Sequence, residues 1–157
     1  MPRTQKSWEK LSTEALLDLR LCDLNLSLEG TWLIPLIDRI REELVGRDLR
    51  ARPHFWLSDD WFSPSGVAGV AIPFYLAHPR LLRLERTLMH DVEGGTIPSA
   101  LKLLRHEVGH AIDHAYELSD RAAWRRTFGS SSLRYPAFYQ PDPTSRDYVQ
   151  HLPGWYA

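Results

Sequence analysis

Sulfur is scarce in this chain: 157 residues hold one cysteine, Cys22, and two methionines. A single thiol excludes an internal disulfide and any zinc site built on cysteine pairs. An unpaired thiol fits a reducing compartment, so a cytoplasmic location is expected. An excess of one charge is missing too. Nineteen basic and twenty acidic residues leave a formal net charge of −1, and neither nucleic acid nor an anionic membrane is expected as partner at that balance. No apolar run approaches the ~18 residues that a membrane-crossing helix needs. Pro2-Arg3-Thr4-Gln5-Lys6 follows Met1 without an apolar stretch, so no secretory leader is expected there. Hydrophobic residues at 43% and charged residues at 25% are ordinary for one globular domain of about 150 residues.

Local patterning predicts an α+β domain with a small sheet. Ser12 is placed to cap a short helix carrying Ala15, Leu16 and Leu19. Trp32, Leu36, Ile40 and Leu44 recur every four residues, which predicts a helix from Gly30-Thr31 to a stop at Gly46. His54 to Leu57 reads as a strand closed by Ser58-Asp59-Asp60. Val67 to Leu76 is a longer apolar run, interrupted by Pro73. Arg80 to Arg86 alternates Leu82 and Leu84 with Arg83 and Glu85, which suggests a third strand with one wet face. A helical period returns from Pro98 to about Leu118, and Ser119-Asp120 is placed to cap a short helix ending at Gly129. Pro136, Pro141, Pro143 and Pro153 lie among aromatic residues near the end, so that segment is expected to be irregular and packed through its rings. Cys22 is expected as a small core residue. His54, His78 and His90 stand outside any ligand spacing and are expected on the surface or hydrogen-bonded.

Chemistry concentrates in His106-Glu107-Val108-Gly109-His110, an H-E-x-x-H pattern. Four helical residues advance about 400°, so the two imidazoles share a face about 6 Å apart along the axis. Both can then reach one zinc ion at about 2.0–2.1 Å. Glu107 stands beside them to take a proton from zinc-bound water. Leu101, Leu104, Val108, Ala111, Ile112 and Ala115 form an apolar stripe opposite the histidines, and Gly109 adds no bulk near the metal. The competing reading is a solvated helix whose polar face holds two histidines. Asp113 and Tyr116 stand where the long three-histidine zinc pattern has Gly and His, so that class is excluded. Asp113 is a candidate to orient an imidazole from behind, against the plainer reading of a solvated carboxylate.

Leu103-Leu104-Arg105 followed by His106 to Asp113 resembles the active helix of a family of bacterial zinc-binding metallopeptidases. It is also similar to the zincin domain of anthrax-lethal-factor-type toxins. The first resemblance extends to Leu19-Arg20-Leu21-Cys22-Asp23-Leu24, Glu29-Gly30-Thr31-Trp32, Ile72 to Arg80, and His151-Leu152-Pro153-Gly154-Trp155-Tyr156-Ala157. It implies a zincin-like fold and a gluzincin-like site: two histidines, a catalytic glutamate, and a third carboxylate ligand on a later helix. In such families that helix carries an acidic Phe-Ala-Glu-like stretch, which this sequence does not reach. The resemblance also places Tyr156 where a tyrosine stabilises the oxyanion. A packed aromatic is the plainer reading of Tyr156, and Tyr148 and His151 are further candidates for the same role.

The function expected is zinc-dependent hydrolysis of a peptide or protein substrate, with His106 and His110 as ligands and Glu107 as base. Two alternatives stay open: a non-catalytic metal-binding or interaction domain, or an inactive fragment of such a peptidase. Pro73 suggests that the strand through Val70, Ala71, Ile72 and Phe74 is an edge that receives the substrate. The third ligand is expected beyond Ala157, with Asp142 and Asp147 as candidates within the chain. The oligomeric state is not legible in the sequence.

Overall fold

Leu33, Leu36, Ile37, Ile40 and Leu44 are buried along one stripe of the helix α2 (Ile34–Val45), and that stripe seeds the core. Pro35 lies in the first turn, where its missing N–H costs nothing, and Gly46 closes the helix. The computed structural model describes residues 7–130. Before α2 come α1 (Thr13–Leu17) and two single 3-10 turns, Ser7–Lys10 and Leu21–Leu24. After it follow β1 (His54–Ser58), β2 (Gly69–Pro73), a 3-10 turn at Phe74–Ala77, α3 (Pro79–Met89), α4 (Ile97–Tyr116) and α5 (Ala122–Phe128). The class is α+β. No described helix is long and apolar enough to cross a membrane.

β1 and β2 pair in parallel, with Trp56 opposite Ala71. The chain returns between them by passing along the far side of β2, where Phe62 bridges Ala71 in antiparallel sense. β2 is therefore the central strand, buried at every position. Its Val70 and Ile72 meet Leu101, Leu104, Val108 and Ala111 of α4 and the stripe of α2 in one core. Gly69 is required where it stands, because a Cβ there would lie 2.6 Å from the Trp56 ring. Gly94 combines a φ of +75° with a Cβ position 2.8 Å from Trp61, so only glycine makes that turn. A second, smaller core gathers Trp8, Leu16, Leu24 and Leu81. Trp8 donates its ring N–H to the Leu24 carbonyl at 2.8 Å, and the Arg80 guanidinium donates to the Trp8 and Leu11 carbonyls.

Four expectations need correction. Arg80 to Arg86 is not a strand but the body of α3: Pro79 sits in the first turn and His78 Nδ1 accepts the Arg80 N–H at 3.2 Å. Leu81 and Leu84, three residues apart, share the helical face packed on Trp8 and Leu24, and the Leu82/Leu84 alternation was too short to decide between the two periods. The run Val67 to Leu76 is a strand only over Gly69–Pro73, since Pro73 cannot donate and the chain turns into a 3-10 helix. Cys22 is exposed in a 3-10 turn, not in the core. The short helix α5 is entered through Arg121, one residue past Ser119-Asp120.

α2 and α4 are clamped outside the core by one ion pair. Arg105 donates from Nε to Glu43 Oε2 at 2.9 Å and from Nη2 to Oε1 at 2.7 Å. The hydrogen bonds from Arg105 hold the Glu43 carboxyl down at about 2, with Arg39 adding to them and burial opposing. A carboxylate depressed in the folded state contributes stability above its ordinary value and loses it as pH falls through the folded one. Glu43→Gln is expected to lower unfolding free energy by about 0.5–1 kcal/mol at pH 7, as a half-exposed bidentate pair warrants. Urea titrations should show that gap closing as pH falls from 4.5 toward about 2. A gap independent of pH would contradict the assignment.

Candidate metal centre

α4 buries Ala100, Leu101, Leu104, Val108 and Ala111. Thr96 caps its start by accepting the Ser99 N–H at 3.3 Å, and Glu117, left-handed at φ +51°, ends it. Ile112 is only partly buried and Ala115 is exposed, so the buried face is turned away from those two. It extends instead toward Glu107, which lies seven residues after Ala100 and four before Ala111. Glu107 keeps 8% exposure, one of two buried polar residues among those described. On the opposite flank Arg105 reaches Glu43, and Gly109 has nothing within 4 Å of where a Cβ would stand.

His106 and His110 remain on the open face between these flanks. Their rings meet edge to face at 83° with centroids 4.9 Å apart, and the two Nε2 atoms are separated by 3.3 Å. Two nitrogens held tetrahedrally by one zinc at 2.0–2.1 Å are about 3.3 Å apart. The pair therefore fits one edge of a tetrahedral coordination sphere. Among the described residues no cluster of three His, Cys, Asp or Glu side chains forms around it.

Burial lowers the His110 pKa below its ordinary value, and the neighbouring His106 and His114 add to that, against Glu107 and Asp113. A lowered imidazole pKa keeps the ring neutral, the form that binds metal. Glu93 is displaced the other way, raised by burial and then by Asp60, Glu107 and Asp91. Tyr75 is pushed up to about 12 by burial, with Glu85, Glu93 and Asp60 contributing. Glu107 thus shares its surroundings with acids from two loops. Sequence spacing carried no signal for Asp60, Tyr75 and Glu93, because three separate segments bring them together.

The remaining expected site residues take other places. Asp113 Oδ1 accepts the Ser119 N–H at 2.7 Å, which fastens the end of α4. The Tyr116 hydroxyl accepts the Arg50 and Ala51 N–H groups at 2.8 and 3.2 Å, tying that end to the α2–β1 connection. Val70, Ala71 and Ile72 are fully buried, and Phe74 belongs to the 3-10 turn, ring edge against Tyr75. The edge expected to receive substrate is already used. Ser63 Oγ donates to the Gly69 carbonyl at 2.8 Å, Ala71 donates to the Phe62 carbonyl at 2.8 Å, and Pro73 has no N–H. Tyr148, His151, Tyr156, Asp142 and Asp147 lie outside the described residues. Compared with protein-family models, curated proteins and solved structures, the chain matches none.

Because burial disfavours the charged His110 ring, folding loses stability as pH falls below 6.5 through the lowered value. In an NMR titration the His110 ring is expected to show a midpoint below 6.5, and His106→Ala should move it upward by removing one repulsive neighbour. A midpoint at or above 6.5, or one that ignores His106→Ala, would contradict this account.

Proposed function

We propose that the chain is a zincin-like metallopeptidase domain that hydrolyses peptide bonds. The observation that carries this reading is the 3.3 Å separation of the His106 and His110 Nε2 atoms beside the buried Glu107 carboxyl. His106 and His110 would hold a zinc ion as neutral imidazoles. Bound there, zinc supplies a Lewis acid for the scissile carbonyl and lowers the pKa of water to about 7. Glu107 follows His106 directly and serves as the general base. Its carboxylate takes the proton from the attacking water and returns it to the leaving nitrogen. Its burial limits the freedom of the carboxylate beside His106. A purely structural zinc takes four protein ligands and has no use for a base, so Glu107 favours the enzyme. The resemblance of the helix to metallopeptidases supports the same reading. It also implies a third, acidic ligand on a later helix, and Tyr156 at the oxyanion. A cytoplasmic location belongs to the proposal too.

Glu107→Gln is expected to abolish peptide cleavage while zinc affinity, read by calorimetry, stays within a few-fold. His106→Ala is expected to remove zinc binding. Equal loss of zinc in both variants would show that Glu107 is a ligand and not the base.

A further inference from the structure

Among the described residues β1 has one partnered edge and one open edge. The His54 N–H donates to the Ala68 carbonyl at 3.1 Å, and Phe55 lies opposite Val70 in the parallel register. By the alternation of a strand, Phe55 and Leu57 turn their N–H and C=O groups to the other side. Among the described residues no hydrogen bond reaches those four groups. Natural edges are usually guarded by charge, proline or a bulge. His54-Phe55-Trp56-Leu57-Ser58 carries none of these within the strand.

A groove of about 550 Å³ lies beside this edge. Leu28 and Glu29 wall its far side, Ile34 and Ile37 of α2 floor it, and Phe55 and Leu57 close it. No residue of α4 lines it, so it is separate from the histidine face. The unpaired charge on its wall is acidic. Arg41, the one cation of the lining, meets Asp38 at 2.9 Å in an exposed pair and lies over the Phe55 ring, while Glu29 has no cation partner among the described residues. Asp59 adds a second carboxylate just past the strand end, accepting from Ser58 Oγ.

We propose that β1 and this groove form a docking site for an extended peptide segment of another protein, added to the sheet as a third strand. Main-chain hydrogen bonds to Phe55 and Leu57 would hold it, and side chains at alternate positions would enter the groove. The floor selects apolar residues there, and Glu29 and Asp59 select basic residues at the ends. A second copy of this chain is a poorer fit. Its β1 brings no Lys or Arg to meet Glu29 and Asp59.

The probe is a pentapeptide of sequence KVTVK, blocked at both ends and titrated against the full chain by NMR. Saturable shifts are expected at the Phe55 and Leu57 amides. Methylating the two valine nitrogens should weaken binding at least about ten-fold by removing main-chain donors. Replacing both lysines by glutamate should weaken it several-fold. Phe55→Pro, which removes one edge donor, should act like the methylated peptide, and the methylated peptide keeps the test valid if that variant fails to fold. His106→Ala should bind the probe unchanged, which separates this site from the proposed metal chemistry. The proposal is overturned by no saturable shift at about 1 mM peptide, by shifts centred elsewhere, or by equal binding of the methylated peptide. It is also overturned if these amides shift on dilution without peptide, because a second copy would then cover the edge.

Discussion

Contacts on two flanks hold α4 at one roll angle. On one side Arg105 grips Glu43 of α2 through two hydrogen bonds, and on the other Ala100 and Ala111 are closed against the core with no exposed surface. Between them Leu104 is fully buried, so a roll in either direction would draw an apolar residue into water. The histidines inherit their place from that constraint. A helix free to turn would still carry H-E-x-x-H, but it would not present two exposed imidazoles with the glutamate buried beside them.

The same roll separates the chemistry of residues that are neighbours in the chain. His106 and Glu107 are adjacent, yet one faces the open side and the other is buried among small side chains. Around Glu107, burial and repulsion among Asp60, Glu93 and Asp91 raise the Glu93 carboxyl, and burial keeps the Tyr75 phenol protonated. An acidic lining of this kind comes from loop packing, and the H-E-x-x-H pattern carries no information about it.

The sheet shows how backbone hydrogen bonds decide which edge is open. Proline in β2 was a sound sign of an interrupted ladder, but it marked the strand's end beside a segment that already covers that edge. Phe62 and Ser63 take the Ala71 N–H and the Gly69 carbonyl, so β2 becomes central although it is one of only two strands among the described residues. Among the described residues the open edge passes to β1, whose sequence gives no sign of it. Both β strands look alike as short apolar runs, and only the path of residues 59–68 tells them apart.

Local periodicity and capping were legible in the residues themselves. Leu36, Ile40 and Leu44 specified the body of α2 and Gly46 its stop, Ser12 the start of α1, and the spacing of His106 and His110 a shared face, while the starts of α2 at Ile34 and of α4 at Ile97 fell only within a few residues of where the pattern put them. These depend on contacts three or four residues apart, so the chain carries them without reference to the fold. Where two periods fit the same few residues, as in Arg80 to Arg86, the choice waited on Pro79, His78 and the packing of Leu81 against Trp8 and Leu24. The pairing of Arg105 with Glu43, the company Glu107 keeps and the open edge of β1 join residues far apart in sequence. No local pattern encodes them, because only the closing of the core brings those groups within bonding distance.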